Sequence, residues 1–141
     1  MLTLVSLLQR NALIAGHRPA VLGPGGQVQS WGEFVQSVAR AAGMLAALGL
    51  RPGDRFGLIG RNSQLLFELM HAGYWYGAIP VPLNVRLAPA ELAEILADAQ
   101  VSLVAADAAH ARAFLDAPLR RWADRLLHLD VAGQGGCGSY M

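Results

Sequence analysis

The sequence predicts an α/β fold: helices and short apolar strands layered around a largely parallel sheet, with a β-hairpin near the N-terminus. Three observations carry that expectation. Ala20-Val21-Leu22 and Val28-Gln29 flank the turn Gly23-Pro24-Gly25-Gly26, the pattern of a hairpin. Beyond it, helical and strand patterns alternate four times. The stretch from Leu69 to Val85 holds no formally charged residue, His71 aside, and contains the short strand Ile79-Pro80-Val81-Pro82. Such a stretch is expected to be buried on several sides. Its two prolines lack ladder donors, which predicts a short, irregular or edge strand.

Taken in order, Thr3 to Ala15 reads as an amphipathic helix, with Leu4, Leu7, Leu8 and Ile14 at helical spacing. Gly16 or His17-Arg18-Pro19 ends it. After the hairpin, Ser30-Trp31-Gly32-Glu33 has the spacing of a capping box. The helix it opens runs to about Leu48, with Phe34, Val38, Ala41, Ala42, Leu45 and Leu48 as its apolar stripe and Gly49 as its stop. Arg51-Pro52-Gly53-Asp54 is a turn, and Arg55 to Ile59 a strand. Asn62 or Ser63 caps the next helix, which runs to about Tyr76. That helix is apolar nearly all round (Leu65, Leu66, Phe67, Leu69, Met70, Trp75), which predicts burial. Gly77 stops it before the proline-bearing strand. Pro89 suits the first turn of a helix over Ala90 to Asp98. Val101 to Ala105 reads as a strand, Ala108 to Leu115 as a short helix, and Arg125 to Val131 as a last strand. Gly133 to Met141 is a glycine-rich tail without a packing signal, so residues 1–132 form one expected structural unit and 133–141 a tail.

The 141 residues suffice for one domain. They are 54% hydrophobic and 15% charged, against about 45–50% and about 25% in an ordinary soluble domain. Either the core is generous or some apolar surface meets another body. A formal net charge of +1 gives no electrostatic case for a nucleic acid or an anionic membrane. No unbroken apolar run reaches the length of a membrane-spanning helix, because Gly77, Pro80 and Pro82 interrupt the nearest candidate. Met1 to Leu8 lacks a basic leader, so no signal peptide is expected. A single cysteine, Cys137, cannot form an internal disulfide, and a cytoplasmic location fits.

Few residues suggest chemistry by themselves. Gly133-Gln134-Gly135-Gly136-Cys137-Gly138 matches the letters of a dinucleotide loop but has no helix or downstream acid to complete it, so a flexible tail is the plain reading. Arg61-Asn62-Ser63 at a helix start has free amides suited to an anion, against plain capping. His17, His71, His110 and His128 show neither metal spacing nor a short-range acid partner, and His71 reads as a core histidine. Cys137 has no local support as a nucleophile. Glu91, Glu94 and Asp98 line one helix face and read as solvated. No catalytic site is complete on these residues, and no metal site is expected.

Three segments in fixed order resemble the N-terminal region of adenylate-forming enzymes, the superfamily of acyl-CoA ligases, firefly luciferase and peptide-synthetase adenylation domains. Gln29-Ser30-Trp31-Gly32-Glu33-Phe34 resembles the first core motif, Leu-Thr/Ser-Tyr-x-Glu-Leu, with Trp31 for tyrosine and Phe34 for leucine. Leu48-Gly49-Leu50-Arg51-Pro52-Gly53-Asp54-Arg55-Phe56 resembles Leu-Gly-Val-x-x-Gly-Asp-x-Val, with Asn62-Ser63 following at the usual place. His71-Ala72-Gly73-Tyr74 through Gly77-Ala78-Ile79-Pro80-Val81-Pro82-Leu83-Asn84 resembles the second core motif, Gly-Ala-x-x-x-Pro-Leu-Asn in acyl-CoA ligases. Amino-acid-activating domains usually end it in aspartate, so Asn84 favours the acyl- or aryl-CoA branch. Val85 stands for a common proline and Ala88 for the usual Ser/Thr cap.

The resemblance covers roughly residues 3 to 131. It implies a truncated acyl-CoA ligase-like protein, the partial N-terminal domain of an enzyme that activates a carboxylic acid with ATP and Mg2+ to an acyl-adenylate, then transfers the acyl group to coenzyme A. The family's phosphate-binding loop, its ribose-binding aspartate and its catalytic lysine have no counterpart among these residues. No catalytic residue is therefore expected here, and the implied partners are the acid substrate and the remainder of the ligase. The resemblance to aryl-CoA ligases implies that Arg86, just after Pro-Leu-Asn, meets a coenzyme A phosphate; a planar guanidinium suits that role. The alternatives are a fragment of an amino-acid-activating domain or a free-standing α/β binding or interaction module.

Overall fold

The computed structural model describes residues 3–129. Helix α1 (Leu4–Ala15) leads into a hairpin of β1 (Pro19–Leu22) and β2 (Val28–Ser30), joined by a tight turn over Pro24–Gly26. The pair is antiparallel, with Val21 opposite Gln29, and forms its own two-stranded sheet. Helix α2 (Trp31–Ala47) follows, then β3 (Arg55–Ile59), α3 (Gln64–Tyr76), β4 (Ile79–Pro82), α4 (Pro89–Asp98), β5 (Leu103–Asp107) and the one-turn α5 (Ala108–Ala111). Two 3-10 turns, Arg112–Leu115 and Arg120–Arg125, lead to β6 (Leu126–Leu129). The main sheet is wholly parallel in the order β4-β3-β5-β6. The α/β class and the hairpin thus match the expectation.

The caps do what the residues require. Ser30 Oγ accepts the Glu33 N–H, while Glu33 Oε2 accepts the Ser30 N–H at 2.8 Å. These bonds to the Ser30 backbone and hydroxyl hold the Glu33 carboxyl below its ordinary value. Helix α2 ends on Gly49 (φ 80°), and the Leu50 N–H reaches back to the Leu45 carbonyl. Ser63, not Asn62, caps α3 by accepting from Leu66.

The alternation of strand side chains builds two cores. Phe56, Leu58, Leu103, Ala105, Leu127 and Leu129 face α2 and α3, and α1 packs over those helices. Ile59, Val104 and Ala106 face the other way, onto α4, Phe114 and Trp122. Gly73 lets α3 approach β3: a Cβ there would lie 2.6 Å from the Phe56 ring. Pro80 and Pro82 sit on the edge strand β4. Ile79 and Leu83 donate inward, to Asp54 and Leu58, so by the strand's alternation the proline nitrogens face away from the ladder.

Three expectations need correction, and a fourth falls partly outside the described residues. Strand β5 begins at Leu103 rather than Val101, because Ala99 to Val101 complete the end of α4: Gln100 takes φ 52° and the Val101 N–H bonds the Leu96 carbonyl at 2.9 Å. The helix expected over Ala108 to Leu115 is one α turn followed by a 3-10 turn. The last strand is described only to Leu129; the residues expected to extend it to Val131, the tail 133–141 and Cys137 lie outside the described residues. Helix α3 is not buried all round, since Phe67 is 40% and Tyr74 41% exposed.

Candidate functional site

A parallel sheet of this order has a point where the connections part. From β3 the chain passes through α3 to β4 on one side; from β4 it crosses through α4, on the opposite face, to β5. Ligands of open α/β sheets enter outside the carboxyl ends of the strands at such a point. Here that is the gap between Gly60-Arg61 after β3 and Asp107 at the end of β5.

Asp107 fills the gap. Its Oδ2 accepts the Arg61 N–H at 2.9 Å; its Oδ1 accepts the His110 N–H at 3.0 Å and lies 2.6 Å from His110 Nδ1. Gly60 leaves the room: a Cβ there would stand 3.0 Å from the carboxylate. Burial opposes ionisation of Asp107, but the Arg61 N–H, the His110 ring and the His110 N–H together hold its carboxyl below the ordinary aspartate value. His110 therefore has a short-range acid partner, contrary to the sequence expectation, and the pair ties the loop after β3 to α5. With the Leu66 amide taken by Ser63 and the Arg61 amide by Asp107, two of the donors that an anion would use at the start of α3 are engaged.

One strand over, Asn84 and Arg86 follow β4 on the same edge of the sheet. Asn84 Oδ1 accepts the Arg86 N–H at 3.0 Å, and the Leu87 N–H bonds the Asn84 carbonyl. This side-chain turn presents Arg86 to solvent. Its guanidinium forms no ion pair among the described residues. An aspartate could accept the same bond, so the turn by itself does not favour Asn84. Ala88 lacks a capping side chain, but Glu91 still reaches back to the Ala88 N–H at 2.8 Å. Glu91 is thus a cap, and Glu94 and Asp98 are exposed, as a solvated face requires.

The remaining histidines add no site. His17 and His128 are exposed. His71 Nδ1 lies 2.9 Å from the Phe67 carbonyl, which can only accept, so Nδ1 carries the proton and Nε2 is left free. The ring stands among Phe34, Phe67 and Tyr74.

A polar cluster that sequence reasoning missed lies inside. Glu68, 4% exposed, accepts from Gln29 Nε2 at 2.7 Å and from Gln64 Nε2 at 3.1 Å. Ser37 Oγ is 3.4 Å from Gln29 Nε2 and accepts from Arg40 at 3.0 Å. Gln29 Oε1 is buried and unpartnered. One signal was available: Gln29 stands where the motif it resembles carries leucine.

Two clefts lie elsewhere on the described surface. One of about 360 Å3 is lined by Leu48, Leu103, Asp124, Arg125, Leu126 and Leu127, at the amino-terminal edge of the sheet, away from Arg86 and Asp107. The other, about 370 Å3, lies between α4 and the segment holding Pro118 and Trp122. Neither carries a cradle for a polyphosphate. Among the described residues no group of three or more His, Cys, Asp and Glu could hold a metal ion. The described residues thus do not fit ATP or Mg2+ unaided. Arg86 is exposed at the carboxyl edge of the sheet.

The comparisons with known proteins agree with this architecture. The sequence pattern of the AMP-binding enzyme family matches residues 8–132. The feruloyl-CoA synthase of an Amycolatopsis species is 39% identical over 102 residues, covering 72% of this chain and 21% of that protein. The 2-succinylbenzoate–CoA ligase of Listeria monocytogenes is 39% identical over 79 residues, or 56% of this chain and 17% of the ligase. The chain thus spans about a fifth of the length of the curated relatives it matches. Among solved structures, the N-terminal domain of FACL13 from Mycobacterium tuberculosis superposes with a TM-score of 0.83 at 26% identity, covering 91% of this chain and 34% of that one. ATP-bound MatB from Rhodopseudomonas palustris gives 0.82 at 26% identity, over 97% of this chain and 26% of that one. With the motif order, the parallel sheet and these matches together, the chain belongs to the AMP-binding enzyme family.

Proposed function

We propose that this chain supplies the N-terminal part of an acyl- or aryl-CoA ligase. The whole enzyme would join a carboxylic acid to coenzyme A through an acyl-adenylate, using ATP and Mg2+. The observation that carries this reading is the 39% identity, over 102 residues, to a feruloyl-CoA synthase. Residues 1–132 form the ligase-like part and 133–141 a tail; a single cysteine suits the reducing cytoplasm where we place the enzyme.

The part played by these residues is binding and support, not bond-making. Arg86, exposed at the carboxyl edge of the sheet and held out by the Asn84 turn, would meet a phosphate of coenzyme A. Asp107 fixes the neighbouring loop of Arg61. The groups that orient ATP and stabilise charge at the reacting phosphate would come from outside the described residues.

Reading the source DNA beyond the codon for Met141 tests the proposal. A loop rich in Ser, Thr and Gly and ending in Lys-Gly, encoded downstream in any frame, is the expected result. Absence of such a loop would leave the free-standing module as the better reading.

A further inference from the structure

Three rings, Phe67, His71 and Tyr74, line the outer side of α3, and Phe67 backs them onto the core ring of Phe34, which is only 2% exposed. Trp31 meets Phe34 edge-on at 6.2 Å, Phe34 stacks on Phe67 at 5.5 Å, Phe67 lies 4.3 Å from His71, and His71 lies 6.0 Å from Tyr74. On α3 the outer residues Phe67, His71 and Tyr74 recur at i, i+4 and i+7, one face of the helix. The opposite face is consumed by the sheet and α2, through Leu65, Leu69, Ala72 and Gly73. A lone exposed leucine such as Leu13 is ordinary. A contiguous aromatic band with Phe67 and Tyr74 about two-fifths exposed marks a contact surface.

The band also states what it needs. It holds no formally charged side chain, so its partner is apolar there. His71 uses Nδ1–H on the Phe67 carbonyl, which leaves Nε2 as a bare acceptor among rings. A covering surface must bring an O–H or N–H to that atom, because a buried unpaired acceptor costs about 1–3 kcal/mol. The solved N-terminal domain that this chain matches over 91% of its length is about three times longer, since the chain covers 34% of it. A domain of that size has more polypeptide to pack on this fold.

We propose that the band formed by Phe67, His71 and Tyr74 is the docking face for the remainder of the ligase, whose apolar surface presents a hydroxyl or amide donor to His71 Nε2. This rests on the ligase reading above, and the test separates the two. Residues 3–129 would replace the matching segment of the Amycolatopsis feruloyl-CoA synthase. Hydroxyl-radical oxidation of Tyr74 and Phe67 would be followed by mass spectrometry in that chimera and in the isolated chain. The expected result is an active chimera in which both side chains oxidise several-fold more slowly than in the isolated chain, with Leu115 as an exposed internal control. In the same chimera, Tyr74→Lys should lower the yield of soluble enzyme, yet leave the circular dichroism of the isolated chain unchanged. An active chimera with undiminished oxidation of Tyr74 overturns the docking face alone. A chimera that does not assemble overturns the ligase reading and this inference with it. Protection already present in the isolated chain, at concentrations where it sediments as a dimer, assigns the face to a second copy instead.

Discussion

Removing Gln29 or Glu68 should cost stability, and removing both should cost much less than the sum. Glu68 is buried with no cation within ion-pair distance among the described residues, and its best donor is Gln29 Nε2 at 2.7 Å. Gln29→Leu takes that donor away and leaves the Glu68 carboxyl group with Gln64 alone, at 3.1 Å. A buried donor or acceptor left without its partner costs about 1–3 kcal/mol. The substitution also removes the unpartnered Gln29 Oε1, which offsets part of the loss, so a net destabilisation of about 1–2 kcal/mol is expected. Glu68→Leu strands Gln29 Nε2 with only the 3.4 Å contact to Ser37, at a similar cost. The double variant exchanges a buried polar pair for apolar volume, which is often neutral or better. The two single costs should therefore exceed the double cost by at least about 1 kcal/mol. Urea unfolding of the four proteins, with equal m-values, measures this. Additivity within about 0.5 kcal/mol would refute the claim that these two residues hold the hairpin to α3 as a unit.

Two further outcomes follow from local geometry. The Asp107 carboxyl is held below its ordinary value, so its contribution is complete above the unfolded aspartate value of 3.8 and is lost as pH falls through the lower folded one. Asp107→Asn should thus cost about 1 kcal/mol near pH 7, and the gap should narrow on acid titration below about pH 4; a gap independent of pH contradicts the assignment. Gln100 holds φ 52° at the end of α4, where glycine does so without penalty. Gln100→Gly should stabilise the fold by about 0.5–1 kcal/mol, read as a higher melting temperature, and a lower one would contradict the strain account.

Much of the fold was legible because its signals are local. Ser30 with Glu33, Gly49 after Leu48, and Ser63 before α3 each announce a helix end within a few residues. Strand β4 was legible as an edge because prolines have few other places in a sheet. The end of α4 at Asp98 matched the expectation, but the start of β5 was misplaced because Gln100, at φ 52°, does the turning work usually given to glycine and nothing local marked that the turn runs on to Val101. The Asp107–His110 pair is three residues apart in the sequence. Its meaning appears only once β3 and β5 are neighbours, because Arg61 is 46 residues away. Gln29 and Glu68 are 39 residues apart, and no period or spacing connects them. Arg86 was singled out through motif resemblance alone; the structure adds the Asn84 turn beside it and leaves its role to experiment. The exposure of Phe67 and Tyr74 was hidden because an apolar helix reads the same whether its partner lies within the chain or beyond it.

The central claim is that this chain serves as the N-terminal part of a CoA ligase, with Arg86 at the coenzyme. The most direct measurement is the rate of feruloyl-CoA formation by the chimera with the Amycolatopsis enzyme, with and without Arg86→Ala, over a range of coenzyme A concentrations. The account predicts an active chimera in which Arg86→Ala raises the KM for coenzyme A about tenfold, the loss of roughly 1.4 kcal/mol from one phosphate contact, with little change in KM for ATP. A folded chimera that makes no thioester, or one in which Arg86→Ala changes nothing, would contradict it.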